Sequence, residues 1–290
     1  MPVPPASATR QGIQSVEVAG PLLRALANSA TALPLSALAK AAGMPAAKAH
    51  RYLVSLIRVG LVQQHPESGT YDLGALALDL GLASLGRIDA VALADQSMAS
   101  LRDATGETVA LAVWGNLGPT YIRLLQSRRP VTVNLQIGSV MPMTYTASGL
   151  CFASWLEHGE SAALLEQELA SNKRNRLAAP HSRTALAPLV AETIQHGLAR
   201  MVGQLDPAAP RPAGVRRAAD LLLAGFNAFS APVFDHDGRI KFALTVVGAA
   251  VHIGTGWHST IAVETRRHAR ELSRRLGYRQ RARGMPDSQS

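Results

Sequence analysis

LPLSALAKAAGMPAAKAHRYLVSLIRVGLVQQHPESGTYDLG, residues Leu33–Gly74, decides the reading of this chain. Leu35, Leu38, Ala39 and Ala42 recur at helical spacing, with Ser36 as a candidate N-cap. Gly43 suits the left-handed residue that ends a helix, and Pro45 suits the opening of the next. In that second helix Ala49, Leu53, Leu56 and Ile57 form an apolar stripe opposite Lys48, Arg51, Ser55 and Arg58. Two short strands follow, joined by Pro66-Glu67-Ser68-Gly69. The pattern is a helix-turn-helix with a β-wing. In such motifs the second helix enters the DNA major groove by its N-terminal residues, here Ala46, Ala47, Lys48, His50 and Arg51, with Ser55 one turn on. The wing residues His65, Ser68 and Thr70 are the candidates for backbone or minor-groove contact. The alternative is an amphipathic helix hairpin with a solvated basic face; the adjoining wing weighs against it.

Outward from this stretch, composition bounds the rest. The 290 residues are 47% hydrophobic and 4% aromatic, enough for one or two domains with real cores. No apolar run is long enough for a transmembrane helix, and MPVPPASATRQG lacks the apolar region of a secretory signal. The chain is therefore expected in the cytoplasm, with residues 1–13 as a disordered arm. Cys151 stands alone, which leaves no internal disulfide and no cysteine zinc site. The net charge of +9 suits a nucleic-acid partner. Its placement is uneven, however. Residues 1–80 hold six basic and four acidic residues, whereas 264–283 hold eight arginines and two glutamates. The arginine-rich end reads as a solvated helix face, and residues 279–290 as a basic flexible tail.

After the wing, GALALDLGLASLG (residues 74–86) reads as an apolar linker helix, and Val91–Thr105 as a long helix. Strands are expected at Thr108–Trp114, Thr120–Gln126, Val131–Gln136, Leu198–Val202, Phe226–Phe234 and Phe242–Val247. Helices are expected at Thr146–Glu157, Ser161–Leu169, Ala185–Gln195 and Ser259–Leu276. Gly203–Gly214 reads as a surface loop. Helices segregated around a mostly antiparallel sheet make an α+β domain.

Read together, these pieces resemble the IclR-type bacterial transcriptional regulators over about residues 14–278. The resemblance rests on QSVEVAGPLLRALA, the helix-turn-helix, LVQQHPESGTYDLG, IGSVMPMTYTASGLCFASWL, AGFNAFSAPVFDHDGRIKFALTVVG and ARELSRRLGY, in that order. It implies a winged helix-turn-helix over 14–73, a linker helix over 74–88 and a GAF-like effector-binding domain over 89–278. It also implies homodimers or homotetramers on double-stranded operator DNA. The chain departs from the family pattern at three places. Pro21 falls inside the expected first helix, which is then short, starting near Pro21, or kinked. Ala47-Lys48 replaces the usual Ser-Thr at the start of the recognition helix. The stretch between Gly197 and Gly225 is longer than usual.

PMTYTASGLCF places Thr146 at a helix start, where the N–H groups of Ala147, Ser148 and Gly149 lack intrahelical acceptors and suit an anion. A plain helix cap is the alternative; the resemblance implies that this helix start lines the effector pocket. Matching pocket positions are Met141, Phe226, Ala228, Thr245 and Val247, with Trp114 as a closing residue. These positions are largely apolar, so a small organic acid with an apolar body is expected, aromatic bodies included. An enzyme acting on a small carboxylate is the rival reading, and a regulator whose second domain serves only oligomerisation is another. No GxSxG, HExxH, Walker-A loop or GxGxxG opening a helix is present. Cys151 has no neighbouring base, and none of the nine histidines pairs at metal spacing with another ligand. No catalytic residue, metal or cofactor is expected.

Overall fold

The computed structural model describes residues 12–129, 135–175, 179–203 and 225–279. The sequence readings for residues 1–11, for most of Val131–Gln136, for the loop after Gly203 and for the tail beyond Arg279 lie outside them. The chain divides into two compact units, Met1–Ile88 and Asp89–Ser290.

The first unit contains helices α1 (Gln14–Asn28), α2 (Leu35–Ala41) and α3 (Ala46–Arg58), strands β1 (Val62–Gln64) and β2 (Tyr71–Leu73), and helix α4 (Ala75–Gly86). Leu22, Leu26, Leu38, Ala39, Ala49, Leu53, Leu56, Val62 and Tyr71 form its core. Helix α1 does not start near Pro21 but at Gln14, with Pro21 at its centre. A proline there removes one backbone hydrogen bond, but Leu22 and Leu26 on the following turn are buried. Burial of that face offsets the missing bond. Ser36 is not the cap of α2. Pro34 holds that position in extended conformation without a side-chain bond, because Leu33 is tied to Tyr71 by a pair of backbone hydrogen bonds of 2.9 and 2.8 Å. Gly43 has φ +62° between α2 and α3, the conformation that favours glycine.

The second unit contains helices α5 (Ala90–Thr105), α6 (Ala147–Trp155), α7 (His158–Arg174), α8 (Arg183–His196) and α9 (Thr260–Arg275). Its strands are β3 (Thr108–Gly115), β4 (Gly118–Leu125), β5 (Ala199–Val202), β6 (Phe226–Phe234) and β7 (Ile240–Ala249). The five strands pair antiparallel throughout, in the order β4-β3-β7-β6-β5. Helices α5 and α9 pack on one face and α6, with α8 beside it, on the other. Almost every residue of β6 and β7 is buried, as strands covered on both sides must be. The fold is the expected α+β arrangement of a winged helix-turn-helix and a GAF-like domain.

Two helices exceed their expected lengths. Helix α7 begins at His158 and continues to Arg174, beyond the last apolar residue of its periodic pattern. Glu160 in its first turn and Lys173 and Arg174 in its last complement the helix dipole. Helix α8 contains Pro188 and starts on Ser182, whose side chain accepts from the Ala185 N–H.

Candidate functional site

On α3, Ala46, Ala47, Lys48, His50, Arg51 and Ser55 are exposed, while Ala49, Leu53 and Leu56 are buried. The helix therefore offers its basic side to solvent and its apolar side to the core. Among the described residues, Lys48, Arg51 and Arg58 pair with no carboxylate. Their charge is free for a phosphate or a base edge. Ser55 donates its hydroxyl back to the Arg51 carbonyl at 3.3 Å. His50 lies toward the wing, its Nδ1 3.4 Å from the Tyr71 hydroxyl, which engages one of its two ring nitrogens.

The wing is less suited to phosphate than its position suggested. His65 and Ser68 are exposed and Thr70 is half-buried. The hydroxyls of Ser68 and Thr70 lie 2.7 Å apart. His65 faces Asp72 at 4.0 Å, and the turn holds Glu67 but no lysine or arginine.

In the second unit the sequence-predicted pocket residues divide into two groups. Ala147, Ala228 and Val247 are buried together with Met201, and Phe226 and Leu135 pack against them. Strand pairing explains this: Ala228 stands opposite both Met201 and Val247, and α6 starts over that row. Thr245 lies two residues along β7 from Val247, its hydroxyl 2.8 Å from that of Ser230 opposite it, both buried. Met141 and Trp114 are not in this group. Met141 belongs to the core around Tyr121 and Phe152. Trp114 lies near the opposite end of α6, its ring 5.9 Å from that of Phe152. There it lines a cavity of about 380 Å³ with Trp155 and Glu157. Met201 and Leu135 were missed by sequence reasoning; alternation along β5, paired with Ala228, would have pointed to Met201.

The start of α6 is partly capped. Thr146 Oγ1 accepts from the Gly149 N–H at 3.0 Å and donates to the Pro142 carbonyl at 2.6 Å. The expectation of three free N–H groups is thus corrected to two, at Ala147 and Ser148. Both residues are buried, and no acceptor for either N–H lies among the described residues. Gly149 has a packing role, since a Cβ there would sit 1.9 Å from the Pro142 oxygen. The Ser148 side chain turns inward to the Tyr121 hydroxyl at 3.0 Å. Burial pushes the Tyr121 phenol above its ordinary pKa, opposed by hydrogen bonds to Ser148 and Thr245.

Cys151 is fully buried, and burial raises its thiol far above the ordinary range, against a weaker effect of Ser230. A thiol held protonated is a poor nucleophile. The histidine reading needs one correction: Asp235, His236 and Asp237 bring three potential metal-ligating atoms together at the β6–β7 turn. One of those carboxylates is engaged locally, Asp235 Oδ1 accepting from the Asp237 and Arg239 N–H groups. Two of the five arginines of α9, both exposed, pair with glutamates three residues away on their own helix, Arg267 with Glu264 and Arg274 with Glu271. That agrees with a solvated helix face. No helix among the described residues is long and apolar enough to cross a membrane.

Comparison with known proteins agrees with this geometry. Residues 15–66 match the IclR helix-turn-helix domain, and residues 82–200 match the bacterial transcriptional regulator IclR C-terminal domain. The HTH-type transcriptional regulator XynR of Escherichia coli K12 is 28% identical over 266 residues, covering 92% of this chain and 98% of XynR. The crystal structure of Pseudomonas aeruginosa HmgR superposes with a TM-score of 0.78 at 38% identity, covering 92% of this chain and 99% of HmgR. The Agrobacterium tumefaciens repressor BlcR shares the fold, with a TM-score of 0.70 at 24% identity and coverage of 92% and 99%. With an exposed basic face on α3 in the first unit and matches across both units, the chain belongs to the IclR family of bacterial transcriptional regulators.

Proposed function

We propose that this DNA-binding regulator alters its grip on operator DNA when a small organic acid binds at the start of α6. The observation that carries this is the pair of N–H groups at buried Ala147 and Ser148, without an acceptor among the described residues, beside the apolar group of Ala147, Met201, Ala228 and Val247. A buried donor without a partner costs free energy, and a carboxylate would relieve two at once in the favourable field of the helix start. The apolar neighbours suit a hydrocarbon or aromatic body. In the DNA-binding unit, Lys48 and Arg51 on α3 are the residues for base and phosphate contact, with the wing in a lesser role.

The protein acts as a homodimer or homotetramer. None of the described side chains of helix α4 is buried, and Leu76, Leu78, Leu80 and Leu82 are 37%, 63%, 55% and 58% exposed. Spaced by two, these leucines point alternately to opposite sides of the helix, and a helix apolar all round is normally covered. A second copy is the fitting cover, since two-fold symmetry also sets paired recognition helices one DNA turn apart.

The test of the ligand site is Ala147→Pro. Proline is favoured at the first helical position and Thr146 before it is already extended, so the variant deletes one donor and keeps the helix start. Operator binding is followed by fluorescence anisotropy while benzoate and short aliphatic acids are added. A parent that responds and a variant that binds DNA without responding support the site. An equal response in both rejects it.

A further inference from the structure

The segment Met141–Tyr145, which leads into α6, is held like a strap from both sides. On one side is Glu168, in the middle of α7. Its carboxylate accepts from the Met143 N–H at 2.8 Å, the Thr144 N–H at 2.9 Å and the Thr144 hydroxyl at 2.6 Å. Asn172, one turn further along α7, donates its side-chain amide to the Thr144 hydroxyl oxygen at 2.9 Å and to the Pro180 carbonyl at 2.8 Å. Thr144 and Asn172 are both buried. On the other side, Thr146 donates to the Pro142 carbonyl, and the bare Gly149 backbone sits against Pro142 and Met143. The strap has little freedom to move without moving the first turn of α6.

A carboxylate accepting three hydrogen bonds is a stronger anchor than a turn of this length requires. Neutral amides could not replace it, because a glutamine offers one acceptor oxygen and its NH₂ group would face another donor. The contrast with Glu166 on the same helix is direct: Glu166 is exposed and, among the described residues, pairs with exposed Arg183 alone.

We propose that Glu168 is a positioning residue for the anion site, fixing the first turn of α6 through the Met143–Thr144 strap so that the Ala147 and Ser148 N–H groups hold their aim. The proposal rests on the reading of that site given above. Glu168 acts through the strap and is assigned no contact with the ligand.

The experiment is amide hydrogen exchange on the full chain, comparing the parent with Glu168→Gln, Glu168→Ala and, as a control, Glu166→Ala. Exchange across residues 143–149 is expected to rise about tenfold or more in Glu168→Ala, and by less in Glu168→Gln, with β6 and β7 unchanged. The control should match the parent. Should Glu168→Ala fail to fold, Glu168→Gln decides. Parent-like exchange at 143–149, or an equal rise throughout the domain, overturns the proposal. Benzoate supplies a second readout, with about tenfold weaker binding expected in Glu168→Ala. A variant that loses protection at 143–149 yet binds benzoate as the parent does also overturns it. If the parent itself does not bind benzoate, that counts against the carboxylate reading, and the exchange data alone decide the role of Glu168.

Discussion

The hydroxyl oxygen of Ser148 lies 3.0 Å from the phenol oxygen of Tyr121, with both side chains buried between α6 and the sheet. This contact turns the Ser148 side chain away from any ligand at the helix start, leaving its backbone N–H for that role. It also joins α6 to β4 through a polar bond inside the core, where Tyr121 is the partner of the Ser148 hydroxyl and itself also bonds Thr245.

Tyr121→Phe should therefore destabilise the protein by about 1–3 kcal/mol, because the buried Ser148 hydroxyl loses its partner. Ser148→Ala in the same background should add little, since it removes the orphaned group. Urea unfolding of the two single variants and the double variant measures this; strictly additive losses would show that the contact carries no coupling.

Arg51→Ala should weaken operator binding by about 1–3 kcal/mol if the side chain reads a guanine edge. Lys48→Ala should weaken binding to all sequences alike and lower the slope of log K against log salt by about 1. Anisotropy titrations at several salt concentrations separate the two roles. A double variant that binds as tightly as the parent would exclude α3 as the reading helix.

Leu78→Glu and Leu80→Glu place a charge on opposite sides of α4, none of whose described side chains is buried. Each should shift sedimentation toward monomer and reduce operator affinity, because a charge buried in an apolar interface is costly. A parent that sediments as a monomer at micromolar concentration would refute self-association through this helix.

Cys151 should resist alkylation in the folded protein. Burial both shields the thiol and raises its pKa, so raising the pH from 7 to 9 should barely accelerate labelling by iodoacetamide. In urea the rate should rise by about a hundredfold or more as the thiol becomes accessible. Rapid native labelling would place Cys151 in a reactive setting.

The local and periodic features were legible without the structure. The stripe of Ala49, Leu53 and Leu56, the left-handed Gly43, and the alternation of β6 each follow from the geometry of one element and its neighbours in sequence. Helix ends were less legible, as Ser36 and Pro21 show. A cap or a break depends on what else the backbone can bond or bury, and Tyr71 and the core supplied those terms from afar. The candidate effector site was legible only in part. Phe226, Ala228 and Val247 alternate on paired strands, so their meeting could be read, whereas the separation of Trp114 and Met141 from them could not. Which end of a helix a residue faces is set by sheet register and by the crossing of α6 over it. The two least predictable facts, the inward turn of Ser148 onto Tyr121 and the hold of Glu168 on the strap, join residues 27 and about 25 positions apart. Short-range sequence carries no term for such bonds; only packing brings their donors and acceptors within reach.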